Sequence, residues 1–553
     1  MDSKQVFGID LGTTYSCIAV MDELSGQPTV LSNADGDATT PSVVYFQDAQ
    51  TRVVGKEAKK TAVVEPDRVV EMVKRQMGNA DWRWAFEGRE YSAEEISAFI
   101  LRKIANDVEQ FHGMHCADVV ITCPAYFGIS QRDATAAAGA IAGLNVLEVI
   151  DEPTAAAVAY GLQDDTDQVI LVYDLGGGTF DVSIIEVKDG SVTVIAIGGD
   201  HELGGHDWDE EIVRYLISEW MTRTGTDQDP ADSAETLQEL RRRAEDAKRA
   251  LSSEAETKVL VSCGGSSVTV TLTRERFEEL TQHLMENTLS LIRETMALAQ
   301  MKGYPEVDKM VLVGGATRMP QVAGRLRREF GTEPRIHDPD QAVAKGAAIY
   351  GRKLSIGRRV SAAIASEPGA PPGQADAATL ARVQQAVAAD LGMRVAVLRR
   401  LDDMTVTNVA SHSFGVVAYR QTGTEQDQYI VNLVLAQAPL PVTRAREFAT
   451  VEDGQAAVQL RVMESAVRRE EIDELDQASE VGDVILPLTT GLPAGSPVEV
   501  TFELNRQGRL VITGKDLAVG GKSIVAAIET SRVLSAAEVA RAASEMRGVR
   551  VMG

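Results

Sequence analysis

Tyr173-Asp174-Leu175-Gly176-Gly177-Gly178-Thr179-Phe180-Asp181 is the stretch whose reading decides the fold. A short apolar run, 168–172, leads into it and an alternating run, 182–187, leads out, so it reads as the turn of a β-hairpin. Three consecutive glycines strip every Cβ from the turn, and backbone N–H groups can then come within hydrogen-bond reach of an anion such as phosphate. Asp174 and Asp181 flank it. Carboxylates beside a phosphate repel it unless a divalent cation intervenes, and Mg²⁺ held largely through water suits oxygen donors of this kind. Taken alone, the stretch is equally well a glycine-rich hairpin with no ligand.

A second copy breaks the tie. Val6-Phe7-Gly8-Ile9-Asp10-Leu11-Gly12-Thr13-Thr14-Tyr15-Ser16 repeats the grammar of apolar strand, Asp, Leu, Gly, small hydroxyl residues and alternating strand, here 17–21. Two such units arise when a region is built from two similar lobes whose hairpins face each other, with one metal–triphosphate clamped between them. A third glycine turn, Gly314-Gly315-Ala316-Thr317-Arg318, follows a buried-type strand and opens a helix over 321–330. Gly-Gly allows close backbone approach there, and Arg318 can lay its planar guanidinium on an aromatic base.

Bulk composition sets outer bounds. A chain of 553 residues with 44% hydrophobic content has material for several domains with ample core. A formal net charge of −26 argues against general nucleic-acid or anionic-membrane surfaces. The opening residues Met1-Asp2-Ser3-Lys4-Gln5 are unlike a signal peptide and no run of eighteen apolar residues occurs, so a cytoplasmic location is expected. Cys17, Cys116, Cys123 and Cys263 are scattered and read as free thiols. His112, His115 and Cys116 lack a completed ligand set and read as a solvated loop. Gly520-Gly521-Lys522-Ser523 ends like a phosphate-binding P-loop, but Asp516 stands where the first glycine belongs.

The three glycine motifs, with Asp151-Glu152-Pro153-Thr154-Ala155-Ala156-Ala157 between them, resemble the DnaK-type branch of the 70-kilodalton heat-shock chaperones, within the actin and sugar-kinase superfamily. The likeness covers about 7–351 and resumes over about 413–528. It implies an α/β actin-like two-lobed ATPase domain (1–357), an inserted linker region with a helix over 378–389 (358–407), an all-β sandwich peptide-binding domain (408–530) and a short helical tail (531–553). ATP or ADP with Mg²⁺ would be the ligands, with K⁺ a further candidate.

Residue by residue, the resemblance implies roles. Asp10, Lys74, Glu152, Asp174, Thr179 and Asp181 become catalytic, Lys74 reaching the γ-phosphate and helping to place the attacking water. Asp10, Asp174 and Glu152 become metal-organising, mostly through water. Gly12, Thr13, Thr14, Tyr15, Gly176, Gly177, Gly178, Gly199, Gly314 and Gly315 take the phosphates, and Glu245, Lys248, Arg249, Ser252, Arg318 and Asp340 the adenosine. Residues 237–252 read as an amphipathic helix with Glu245, Lys248 and Ser252 on one face, a spacing that equally suits an exposed helix carrying a Glu245–Arg249 pair. Residues 67–77 read as helical, with Val70, Val73 and Lys74 in phase. Pro124, Tyr126, Phe127 and Arg132 match the family's relay between its two halves.

Alternating segments at 414–419, 429–435, 457–463, 498–504 and 509–513 predict the sandwich, with Leu504-Asn505-Arg506-Gln507-Gly508-Arg509-Leu510 as a hairpin turn. By motif position Phe414, Val416, Tyr419, Phe448, Val451, Val458 and Leu460 would line a channel for an extended peptide, although alternating apolar positions also face an ordinary core.

Four departures stand out. Residues 361–377, rich in Pro, Gly and Ala, read as flexible. The linker Asp402-Asp403-Met404-Thr405-Val406-Thr407-Asn408 has threonines where the family has leucines, a loss of roughly 1–2 kcal/mol each if buried, so weaker interdomain docking is expected. After Ser531 only 534–546 reads as helix, capped by Ser535, so a bound peptide is expected to escape faster than beneath the family's longer lid. Leu147 and Glu148 replace basic residues that engage J-domain partners, and poor stimulation by such partners is expected.

The reading is therefore an ATP-dependent chaperone for unfolded or extended polypeptides, with J-domain and nucleotide-exchange partners and no nucleic-acid or membrane partner. The alternative is a nucleotide-gated regulatory protein with one dedicated partner.

Overall fold

The computed structural model describes residues 5–23, 25–161, 166–366, 376–422, 425–518, 522–527 and 533–553. Residues 367–375 of the expected flexible insertion, and Gly520 and Gly521 of the excluded P-loop, lie outside the described residues.

The repeat read from the two glycine turns is a repeat of topology. In the first lobe, Val6–Asp10 pairs antiparallel with Tyr15–Met21 on one side and parallel with Asp118–Cys123 on the other, which pairs in parallel with Asn145–Asp151. In the second, Gln168–Leu175 pairs antiparallel with Phe180–Lys188 and parallel with Lys309–Val313, which pairs in parallel with Pro334–Ile336. Central strands of both sheets are buried on both faces, as the run of Val, Ile and Leu requires. Each glycine turn thus stands at the end of the strand that its sheet is built around.

Two helices form the seam between the lobes. Glu152–Gly161 is half Ala and Val and entirely buried, and Ala342–Ala365 crosses it. Small residues bring the backbones into contact: a Cβ on Gly346 would lie 1.7 Å from Ala155 O, and one on Gly8 would lie 2.1 Å from Ala348 N. The second of these helices runs to Ala365, so 361–365 is helical rather than flexible. Its apolar periodicity through Ile356, Val360 and Ile364 carries it on, against the inserted helices Ala377–Asp390 and Val395–Asp403. The second inserted helix was not expected. It buries Leu398 and Leu401 and leaves Arg399 and Arg400 outside.

Residues 67–77 do not form an α-helix. A 3₁₀ turn, Pro66–Arg68, gives way to a short strand, Val69–Val70, and a second 3₁₀ turn, Val73–Gln76. The β-branched pair Val69-Val70 takes a place beside Val44–Phe46, and Met72 in a left-handed conformation (φ 58°) separates strand from turn.

Val406–Thr407 adds to the second lobe's sheet as a parallel strand beside Ser191–Asp200, and Val192 N–H donates to Thr405 O at 2.8 Å. Threonine in place of leucine has not undocked the linker: the main chain pairs with the sheet, and Met404 and Val406 pack on the seam core. Beyond it, a five-stranded sheet ordered Glu471–Ile472, Glu425–Val434, Ser413–Thr422, Ala457–Ser465, Ser479–Pro487 faces a four-stranded one ordered Val442–Ala449, Pro497–Leu504, Leu510–Asp516, Ser523–Ala527. Val416, Leu460, Val462, Val500, Phe502 and Ile512 fill the space between them. The 504–510 turn is held as expected, Asn505 Oδ1 accepting from the N–H groups of Gln507 and Arg509.

The helix Ala536–Met546 forms, with a reciprocal Ser535/Glu538 cap. It packs on the first lobe rather than on the sandwich, and is followed by an unexpected strand, Arg550–Met552, parallel to Thr51–Val54.

Candidate functional site

The two glycine turns meet tip to tip. A Cβ on Gly177 would fall 2.2 Å from Thr14 Oγ1, and one on Gly178 would fall 2.4 Å from Thr13 Cγ2, so only glycine lets the hairpins approach this closely. Between them opens a cavity of about 600 Å³. Its walls include Asp10, Gly12, Thr13, Thr14 and Tyr15 from the first hairpin, and Asp174, Gly176, Gly177 and Thr179 from the second. Lys74, Glu152, Glu245, Lys248, Arg249, Ser252, Gly314, Gly315, Arg318 and Asp340 complete the predicted set on the same cavity. Gly178, Asp181 and Gly199 lie behind the wall: Gly178 packs on Thr13, and Asp181 is buried opposite Gly199 in the strand register.

The floor of the cleft is electrostatically unusual. Glu152, Asp174 and Asp181 are buried and Asp10 is half-buried, with the buried Lys74 ammonium beside them. Lys74 Nζ donates to Glu152 Oε1 at 2.5 Å. Loss of water drives the Asp10 carboxyl up to about 7, with the Glu152 charge adding to the push. Asp181 is driven up to about 8 by the same two causes, and Asp174 is raised well above the usual range by burial and then by Glu152. Burial alone would lower the Lys74 pKa. The carboxylates of Glu152 and Asp10 outweigh it and raise the value.

Such a cluster is short of positive charge, and a divalent cation is the natural complement. Among the described residues no three acidic, His or Cys side chains converge closely enough to hold an ion directly. The donor set therefore fits Mg²⁺ that keeps most of its water shell and touches the protein mainly through it. His112 and His115 make ordinary contacts, with Ser32 O at 2.8 Å and Glu109 Oε1 at 2.9 Å.

The opposite end of the cavity is closed by an ion-pair cluster that the sequence did not announce. Lys59 Nζ donates to Glu245 Oε2 at 2.5 Å and to Tyr15 Oη at 3.0 Å, crossing from one lobe to the other. Arg249 donates to Tyr15 Oη and to Glu245 Oε1, each at 2.7 Å. The Glu245–Arg249 helix pair and the cleft position of Glu245 are thus both real. Lys248 Nζ donates to Gly205 O at 2.6 Å and Asp209 Oδ2 at 2.7 Å. Arg318 pairs with Asp340 at 2.5 Å across the rim. Lys59, His206, Asp209 and Arg241 also line the cavity and were missed. Lys59 sits in a polar run with no motif, and only the fold brings it within reach of Glu245.

From the floor a chain of contacts leads to the sandwich. Asp181 Oδ1 accepts from Tyr126 N–H at 3.3 Å, and the Tyr126 ring packs on His412 with centroids 5.0 Å apart. Phe127 N–H donates to Pro124 O, and Phe127 O accepts from Ser411 Oγ at 3.2 Å. Arg132 is ion-paired with Asp151, next to Glu152. Glu464 of the sandwich accepts from Ile129 N–H at 3.1 Å, at the start of the helix Ile129–Ile141. The four residues singled out from the sequence lie on one route between the halves.

Seven residues were expected to line a peptide channel. Phe414, Val416 and Leu460 are instead sealed in the core between the two sheets, as alternation demands of any inward-facing position. Phe448 and Val458 are half-buried against that core, and Tyr419 and Val451 stand 49% and 45% exposed. Glu148, at the J-domain position, accepts from Tyr350 Oη at 2.9 Å, and burial raises its pKa. Leu147 packs on the core of the seam.

Among the described residues no helix is long and apolar enough to cross a membrane. The family model described as Hsp70 protein matches residues 6–364 and 376–551. Over 531 residues the chain is 36% identical to the chaperone protein DnaK of Halobacterium salinarum strain R1, covering 94% of this chain and 74% of that protein. The chaperone protein DnaK of strain NRC-1 of the same species matches to the same extent. With the paired hairpins, the intervening helices and the sandwich all inside the matched residues, this chain belongs to the Hsp70 family.

Proposed function

We propose that the chain is an ATP-hydrolysing molecular chaperone whose nucleotide lies between the two glycine hairpins and whose polypeptide clients are held by the β-sandwich. Membership of the family makes it an ATP-dependent chaperone and an ATPase. The observation that carries the site assignment is the tip-to-tip meeting of two topologically equivalent hairpins over a floor of buried carboxylates relieved by Lys74.

In this reading residues 1–357 hold the nucleotide, 408–530 the client, and the inserted helices with the docked strand Val406–Thr407 join them. Backbone N–H groups of the hairpins and the hydroxyls of Thr13, Thr14 and Thr179 receive the phosphates. Glu245, Lys248, Arg249, Ser252, Arg318 and Asp340 receive the adenosine. Mg²⁺, when bound, neutralises charge on the phosphates, and Asp10, Asp174 and Glu152 orient its water shell. Glu152 holds Lys74 Nζ at 2.5 Å, so the ammonium is already aimed where charge grows on the transferred phosphoryl group. Lys74 and Thr179 place the attacking water, while Asp181, behind the wall, accepts from Tyr126 N–H. Hydrolysis is felt by the sandwich through Tyr126, Phe127 and Arg132, and shifts it between a low-affinity and a high-affinity population. Tyr419, Val451 and Phe448 are then the first contacts for an extended apolar peptide, with Phe414, Val416, Val458 and Leu460 reached only as the sheets part.

The altered linker and the short helical tail are what speak for a dedicated regulatory protein, and the linker's pairing with Ser191–Asp200 weakens the first of these. Calorimetric titration with ATP and ADP in Mg²⁺ tests the cleft, and anisotropy of a labelled apolar peptide with each nucleotide tests the coupling. Uptake of neither nucleotide rejects the cleft; peptide affinity indifferent to nucleotide rejects the coupling.

A further inference from the structure

Residues 533–553 cross from the sandwich to the first lobe and are built into it. The helix Ala536–Met546 buries Ala542 and Met546 in that lobe's core, and Arg89 pairs with Glu545 at 2.7 Å. The strand Arg550–Met552 then extends the sheet through Thr51–Val54, with Arg550 N–H donating to Gln50 O at 2.8 Å. Gly553 lies so close to this edge that a Cβ would meet Val54 O at 1.8 Å. One residue after Val54, Gly55 opens the helix Lys56–Thr61, and that helix carries Lys59 across the cleft to Glu245. The added strand therefore sits at the root of the cross-cleft ion pair.

We propose that 533–553 is the standing occupant of the Thr51–Val54 edge, and that its strand positions the Lys56–Thr61 helix so that Lys59 latches the cleft over bound nucleotide. This rests on the cleft being the nucleotide site. An edge strand with one neighbour can shift along its length, whereas one paired on both sides is held in register. The register Arg550 to Thr51, Val551 to Arg52 and Met552 to Val53 ends where the helix begins. Lys59 is thereby a positioning target: the tail touches no part of the cavity and acts only through the helix.

The test is release of a fluorescent ADP analogue, followed by stopped flow after a chase with unlabelled ATP. A chain ending at Arg547, which keeps the docked helix and loses the strand, is expected to release it about 5-fold faster or more. Lys59→Ala should accelerate release similarly, and the two changes combined should do no more than either alone. Full-length Val551→Asp should reproduce the effect, and decides the matter if the shortened chain does not fold. Release unchanged in both tail variants, or effects of tail and Lys59 that multiply, would overturn the proposal. If no variant and no parent chain takes up the analogue, the cleft assignment fails instead.

Discussion

Lys74 and Glu152 are both buried and are bonded to each other, so neither can be removed without stranding the other. Lys74→Met is expected to lower ATP turnover about 100-fold or more while ADP still binds. The same change leaves a buried carboxylate without its cation and should cost up to about 3–5 kcal/mol of stability. Single-turnover hydrolysis and urea unfolding measure the two separately. Asp10 and Asp181 make a second prediction. Their pKa values are raised to about 7 and about 8 from an ordinary 3.8, so between pH 4 and 8 the folded chain holds protons that the unfolded chain has given up. Stability then falls as pH rises through that window, and any contribution of these groups is fully present only below it. Under the proposed function, bound Mg–ADP would take over the role of those protons. Scanning calorimetry should therefore show a larger gain in Tm from Mg–ADP at pH 8 than at pH 6, and an equal gain at both would count against a charge-starved floor.

Elements were legible where a pattern had one structural meaning. Asp-Leu-Gly followed by small hydroxyl residues, seen twice, admits little but a hairpin, and both hairpins and their opposition follow from it. Helical phase at 67–77 misled, because Val70, Val73 and Lys74 fit a helix while Val69-Val70 fits a strand edge, and the neighbouring Val44–Phe46 strand decided between them. Apolar alternation could not separate channel from core at Phe414, Val416 and Leu460, since both need every second side chain turned inward. Arg550–Met552 was illegible for another reason: three residues carry no periodicity, and the strand exists only because Thr51–Val54 offers an edge. At the seam the close helix crossing makes its own prediction. Gly346→Val forces side-chain atoms into the Ala155 carbonyl and should destabilise by about 1–3 kcal/mol or more. Gly324→Ala, in a helix with nothing within 4 Å of the new methyl, should stabilise by up to about 1 kcal/mol. Urea midpoints for the pair compare crowding with propensity.

At the scale of the molecule, Gln437 ties the sandwich to the second lobe. Gln437, in a left-handed conformation (φ 69°), accepts from Ile197 N–H at 3.0 Å and donates to Ile197 O at 2.8 Å, while Lys302 Nζ reaches Gln437 O at 2.8 Å. Gln437→Ala removes both side-chain bonds and leaves the nucleotide cleft untouched. We expect ATP and ADP affinities within about twofold of the parent, and a peptide affinity that responds less to exchanging one for the other; calorimetry and anisotropy read the two. The parallel pairing of Arg550–Met552 with Thr51–Val54 has a consequence for biosynthesis. A ribosome makes the two halves of that ladder roughly five hundred residues apart, so the lobe translated first leaves the exit tunnel with the Thr51–Val54 flank unpaired. Until residues 550–552 have emerged, this folding helper is itself a nascent chain in need of shelter.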